Sequence, residues 1–242
     1  MGKTYAAKRL AWSIMGEKDE SRIQLVQFHQ SYSYEDFIMG FRPTNNGFEL
    51  KRGAFYEFCK IAADDDENDY FFIIDEINRG NLSKIFGELL MLIENDKRGE
   101  STRLLYANEQ FAVPKNLYII GMMNTADRSL ALMDYALRRR FAFFDIEPAF
   151  ETESFRDHQE EINNIKFDAL VNIICKLNDE IADDPLLGKG FRIGHDRFCG
   201  KDYTDAKLRE IVEFSLIPLL SEYWVDEPSK VKKWEEQLRS VV

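Results

Sequence analysis

No apolar run in the sequence approaches the roughly 20 residues a membrane-spanning helix needs, so no membrane partner is expected. The N-terminus is polar and basic, unlike a secretory leader. Cysteine is scarce. Cys59, Cys175 and Cys199 lie far apart and are odd in number, the pattern of reduced thiols in a cytoplasmic protein. The three histidines are isolated, and no Cys/His spacing matches a zinc site. Any metal is expected to be Mg²⁺ carried with a nucleotide. Positive charge is also short: 32 Lys and Arg against 43 Asp and Glu leave a net charge of −11. That balance lacks the average basic surface of nucleic-acid binders, although a local basic stripe stays open. Repeats, low-complexity tracts and flexible linkers are missing too.

What is there describes a soluble globular chain. Hydrophobic residues make up 45% and charged residues 31% of 242 positions, enough for one large domain or two small ones. Residues 3–15 read as a helix that starts in Gly2-Lys3-Thr4, and IQLVQF at 23–28 reads as a buried strand. An aromatic stretch, FHQSYSYEDFIMGFRP, is broken by Gly40 and Pro43. Asn45-Asn46-Gly47 predicts a hairpin over 41–52, and a helix follows over 54–63. The run YFFII ends in Asp75-Glu76, as a central parallel strand does when charges emerge at its carboxyl end. A helix is expected over 81–95, a second buried strand in LYIIGMM and a third in FAFFDIEP at 141–148. This alternation predicts an α/β fold with a parallel sheet. Beyond Pro148 the pattern turns helical, over about 152–164, 167–182, 205–224 and 228–241.

Several groups carry chemistry. Gly2-Lys3-Thr4 matches the end of a phosphate-binding loop, G-x-x-x-x-G-K-[ST]. Helix N-terminal amides attract phosphate, Lys3 would neutralise β/γ oxygens, and the Thr4 hydroxyl would ligate Mg²⁺. An ordinary exposed N-terminus is the plain alternative. Asp75 would hold the metal through water and Glu76 would polarise the attacking water; alternatively the pair caps the next helix. Asn124, after the next apolar strand, suits a γ-phosphate and a lytic water, or a turn. Asp127 and Arg128 order the same loop or contact a neighbour. Arg138, Arg139 and Arg140 exceed what compensation of a helix dipole requires, so at least one is expected to reach outward, towards a neighbour's γ-phosphate.

In this order, GKT, FFIIDEINRGNLSKIFGELL, MNTADRS and LMDYALRRRF resemble an AAA+ NTPase, and more narrowly the McrB family, the motor subunit of modified-cytosine restriction systems. FHQSYSYEDFIMGFRP, GKGFRIGHDRF and IPLLSEYW extend the resemblance over nearly the whole chain. It implies a Rossmann-like P-loop core over 1–147 and a small all-α lid over 148–242. It further implies hexameric rings with nucleotide at each interface, a preference for GTP over ATP, a nuclease partner of the McrC kind, and translocation on DNA. Arg139 and Arg140 match the trans-acting arginines. Arg192 matches a lid residue facing the nucleotide, although His195 or plain packing explains that motif equally well. The front of the phosphate loop and its feeding strand are not in the sequence, so a truncated McrB-like NTPase is expected. The other reading is a non-hydrolysing oligomerisation or scaffold module.

Overall fold

The computed structural model describes residues 2–124, 135–200 and 203–242. They form two compact units, Gly2–Phe144 and Asp145–Val242.

The first unit opens with α1 (Lys3–Met15), β1 (Ile23–Gln27), a single turn α2 (Tyr34–Phe37) and the hairpin β2 (Met39–Thr44) and β3 (Gly47–Arg52). There follow α3 (Ala54–Asp64), β4 (Tyr70–Asp75), a 3₁₀ turn at Ile77–Arg79 and α4 (Leu82–Phe86). A short hairpin, β5 (Ser101–Arg103) with β6 (Gln110–Ala112), precedes β7 (Leu117–Gly121) and α5 (Tyr135–Arg138). The parallel sheet runs β1-β4-β7, with Ile73 of β4 opposite Leu25 on one side and Ile120 on the other. β4 is central, and Phe71, Phe72, Ile73 and Ile74 are fully buried. That is why it reads as a continuous apolar run rather than an alternating one.

Alternate side chains of β4 serve opposite faces. Ile73 packs with Ala7 of α1 and with Met122. Phe72 joins an aromatic core on the other face, 5.0 Å from Phe55 and 5.7 Å from Phe37 between ring centroids. Phe37 in turn stacks on Phe55 at 4.6 Å. Such contacts add about 0.5–1.5 kcal/mol each beyond their buried area.

Two sequence expectations are corrected here. The helix over 81–95 stops after Phe86. Gly87 takes φ +51°, and a Cβ there would lie 3.0 Å from the Tyr34 ring. Glu88 then accepts from the Tyr34 hydroxyl at 2.7 Å and from the Leu105 amide at 2.8 Å. The apolar face survives the break, since Leu82, Ile85, Phe86, Leu89, Leu92 and Ile93 are all buried. No strand forms over 141–148, and Phe143 and Phe144 are exposed. A strand exists only with a partner for its backbone, and among the described residues β7 pairs with β4 alone.

The second unit holds α6 (Glu153–Ile162), α7 (Ile165–Asp183), α8 (Asp205–Ile211), α9 (Ile217–Tyr223) and α10 (Pro228–Arg239). A π-helical turn at Val212–Leu216 joins α8 to α9 within the stretch expected as one helix. Side-chain caps start three of these helices: Thr152 accepts from the Phe155 amide, Asn164 from Lys166 and Phe167, and Thr204 from Lys207. Phe167, Leu170, Ile174, Leu208, Leu220 and Trp234 build the unit's own core. Among the described residues, no helix is long and apolar enough to cross a membrane.

Candidate nucleotide site

The carboxyl end of β4 brings its own two acids together with a cation from the start of the first unit's sequence. Gly2 precedes α1 in the left-handed region, φ +63° and ψ 25°, and its carbonyl accepts from the Ala6 amide at 2.9 Å. Ala7, one turn on, fixes α1 against β4. Lys3 and Thr4 are half-buried in the first turn. Burial pushes the Lys3 ammonium below its usual range, while Glu76 and then Asp75 pull it back up. The fold therefore gathers one cation and two acids that lie far apart in the chain.

Backbone bonds hold the turn after β4. The Asp75 carbonyl accepts from Phe28 at 2.9 Å, and Asp75 Oδ1 accepts from the Glu76 amide at 2.9 Å. Ile77 donates to the Met122 carbonyl at 3.0 Å, and Met122 donates to Ile74 at 2.8 Å. A Cβ at Gly121 would come within 2.7 Å of Ile77 Cδ1, so the glycine lets the Ile77 side chain lie close against the end of β7. Glu76 itself sits at φ +51°. That conformation costs a residue with a Cβ about 1–2 kcal/mol. Its Oε2 is buried and accepts no hydrogen bond, with Arg79 Nε at 3.3 Å as an ion-pair partner. A strained backbone and an unsatisfied carboxylate oxygen in one residue mark a group shaped for something other than stability.

Asn124 is exposed, three residues past β7. Asp127 and Arg128 lie outside the described residues. Leu137 of α5 is buried in the core; in the turn that follows the helix Arg140 is nearly buried, while Arg138 and Arg139 are exposed. Arg138 covers the Phe143 ring at 5.5 Å. The Arg139 side chain is 62% exposed, whereas Arg140 is 8% exposed and pairs with Glu94 at 2.6 Å.

Residues 1–141 match the AAA domain of the dynein-related subfamily. The chain belongs to the AAA family. The second unit of this AAA protein matches, over residues 169–232, the alpha-helical lid domain of McrB. The chain is 53% identical over 253 residues to the type IV methyl-directed restriction enzyme EcoKMcrB subunit of Escherichia coli K12, covering 98% of this chain and 55% of that protein. It is 25% identical over 184 residues to the type II restriction enzyme BsuMI component YdiS of Bacillus subtilis 168, covering 66% of this chain and 53% of the relative. The chain thus spans about half the length of both curated relatives. It is a McrB-like AAA domain, an α/β core with a parallel sheet, followed by a helical lid.

Within the AAA lid, the GKGFRIGH motif is largely stitched to its own unit. Arg192 donates to Glu147 at 3.0 Å and to the Lys189 carbonyl at 3.2 Å. Its guanidinium in turn holds the Glu147 carboxyl below the usual range. Buried Asn178 clamps Ile193 in both directions, at 2.6 and 3.0 Å. The Tyr223 hydroxyl donates to the Phe191 carbonyl at 2.9 Å. His195 Nδ1 accepts from the Ala149 amide at 3.0 Å, so the other ring nitrogen carries the proton, and burial keeps its pKa low.

The donor set also bears on Mg²⁺. Among the described residues no cluster of three or more His, Cys, Asp or Glu side chains is poised for a metal. Mg²⁺ carried on phosphates needs no such cage, since one carboxylate and a hydroxyl suffice beside water. Thr4 and Asp75 fit that requirement. Two residues of this region had no sequence signal strong enough to single them out. Arg79 follows Glu76 by one 3₁₀ turn, a spacing that eclipses side chains and could have suggested the pair. Nothing in the sequence ties Glu94 to the arginines.

Proposed function

We propose that this chain is a Mg²⁺-dependent nucleoside triphosphatase acting on GTP or ATP, the motor part of an McrB-like restriction assembly. The observation that carries the reading is the convergence of Lys3 with Asp75 and a strained, half-satisfied Glu76 at the end of β4. The first turn of α1 offers amides and the Lys3 ammonium to phosphate oxygens. Thr4 and Asp75 would hold Mg²⁺, which when bound offsets charge on the β and γ oxygens. Glu76 accepts a proton from the attacking water, and its buried Oε2 accepts no hydrogen bond, with the Arg79 guanidinium beside it at 3.3 Å as an ion-pair partner. Asn124 orients that water, with Asp127 and Arg128 ordering the loop behind it. Arg139, exposed in the turn just past α5, serves the γ-phosphate of an adjacent copy in a hexameric ring. Arg140 anchors it. Arg192 remains a lid candidate for nucleotide, with Glu147 the ion it would exchange for phosphate.

The similarity to a methyl-directed restriction subunit supports modified DNA as the assembly's target and an McrC-like nuclease as its partner. The test is turnover of Mg·GTP and Mg·ATP by the wild type and by Glu76→Gln, alone and with the nuclease partner. Loss of roughly 10²–10⁴-fold in kcat with retained nucleotide binding is the expected result for a lost general base. Nucleotide binding without any wild-type turnover would instead leave a non-hydrolysing ring or scaffold module.

A further inference from the structure

We propose that Glu94 is the positioning residue of the arginine pair: it holds Arg140 within its own subunit and so sets Arg139 as the guanidinium presented to a second copy. This rests on the hydrolase reading above.

Glu94 is the extended residue before the 3₁₀ turn Asn95–Lys97. Its backbone is fixed at both ends, donating to Met91 at 3.3 Å and accepting from Lys97 at 3.0 Å. One oxygen, Oε1, faces both arginines, 2.6 Å from Arg140 and 3.9 Å from Arg139. The two pairings are unequal because the surroundings are. Arg140 is nearly excluded from solvent, and a guanidinium cannot lose its hydrogen ions to escape burial, so it needs a resident anion. Arg139 is 62% exposed, and water screens its longer contact to almost nothing. The end of α5 is therefore pinned by Leu137 in the core, and the turn after it by Arg140 on Glu94, which leaves Arg139 a defined root and an exposed tip. A γ-phosphate carries more charge than one carboxylate oxygen shared at 3.9 Å, so Arg139 can be taken by phosphate while Arg140 stays on Glu94. The backbone of that turn then need not move when the guanidinium engages.

Three variants separate this role from simple stabilisation. Glu94→Ala removes this carboxylate. Glu94→Gln keeps shape and an acceptor without charge, and guards against loss of fold. Glu94→Asp keeps the charge. At saturating nucleotide, kcat is expected to fall at least tenfold in Glu94→Ala with KM little changed, and Glu94→Asp should recover more than Glu94→Gln. Mixing supplies the readout that a merely structural role would not move. Glu76→Gln protomers keep Arg139 but cannot hydrolyse, and Glu94→Ala protomers keep their own acids. A mixture of the two deficient proteins should turn over faster than the sum of the two alone, because a Glu94→Ala site beside a Glu76→Gln protomer receives a correctly held Arg139. Wild-type kcat in Glu94→Ala, or a deficient variant that the mixture fails to rescue, would overturn the assignment.

An arginine-specific dicarbonyl reagent read by mass spectrometry needs no hydrolysis. In the folded wild type Arg139 should label and Arg140 should be protected, whereas in Glu94→Ala both should label. Equal protection of Arg140 in the two proteins would reject Glu94 as its holder. A wild type that never turns over nucleotide yet shows this labelling contrast would reject the hydrolase reading and keep the positioning role.

Discussion

Asp75 accepts the backbone amide of Glu76 through its carboxylate at 2.9 Å, and Glu76 is thereby held in the left-handed region at φ +51°. One acid shapes the backbone that aims the next. A residue without a Cβ carries no penalty there. Glu76→Gly is therefore expected to raise unfolding free energy by about 1 kcal/mol, the lower end of the left-handed cost, while abolishing turnover. Urea unfolding and a phosphate-release assay on the same preparation check both halves. A destabilised Glu76→Gly protein would mean that the glutamate serves the fold.

Arg139 and Arg140 should separate stability from chemistry. Arg140→Ala strands Glu94, which is 30% exposed, so the expected loss is about 1–3 kcal/mol, less than the roughly 3–5 kcal/mol of a fully buried pair. Arg139→Ala should leave stability within about 0.5 kcal/mol and lower kcat about 10³-fold, the low end of an arginine supplied in trans. Thermal melts and steady-state kinetics on the two single variants decide it, and the reverse pattern would exchange their roles.

The lid carries a pH signature of its own. Asp184 accepts from Trp224 Nε1 at 2.8 Å and from Lys230 at 3.0 Å, which brings its carboxyl down to about 2 from an ordinary 3.8. A group whose folded pKa is depressed contributes stability above its unfolded pKa and loses it as pH falls through the folded one. The wild type should melt above Asp184→Asn at pH 6, and the difference should shrink between pH 4 and pH 2. A gap that stays constant over that window would assign the effect to shape alone.

Thiol reactivity follows burial. Cys59 is buried, and desolvation pushes its thiol far above the usual range, while Cys199 is exposed. Iodoacetamide should alkylate Cys199 first and reach Cys59 only after unfolding, as read by peptide mass. Early labelling of Cys59 would show that the aromatic core opens locally.

Much of this architecture was legible before any coordinates. YFFII announces β4 because a strand covered on both faces must be apolar at every position, and the acids that follow mark where it leaves the core. The β2–β3 hairpin was legible in Asn45-Asn46-Gly47, where Gly47 takes φ +125°. The break at Gly87 was not, because a glycine inside an apolar helical pattern is tolerated until a particular neighbour, here the Tyr34 ring, occupies the next turn. FAFFDIEP has every property of a strand except a partner, and pairing is a property of two segments. The β5–β6 hairpin is too short for its periodicity to show.

The sequence by itself determined the local chemistry: a helix beginning at Lys3, two acids closing a buried strand, three arginines in a row. Those choices rest on burial pattern and side-chain type, which neighbours along the chain express. Tertiary structure alone decided that Lys3 shares a field with Asp75 and Glu76, and that Arg140 turns to Glu94 while Arg139 faces solvent. Charges act through distance and dielectric, and both are set only when segments remote in sequence pack against one another.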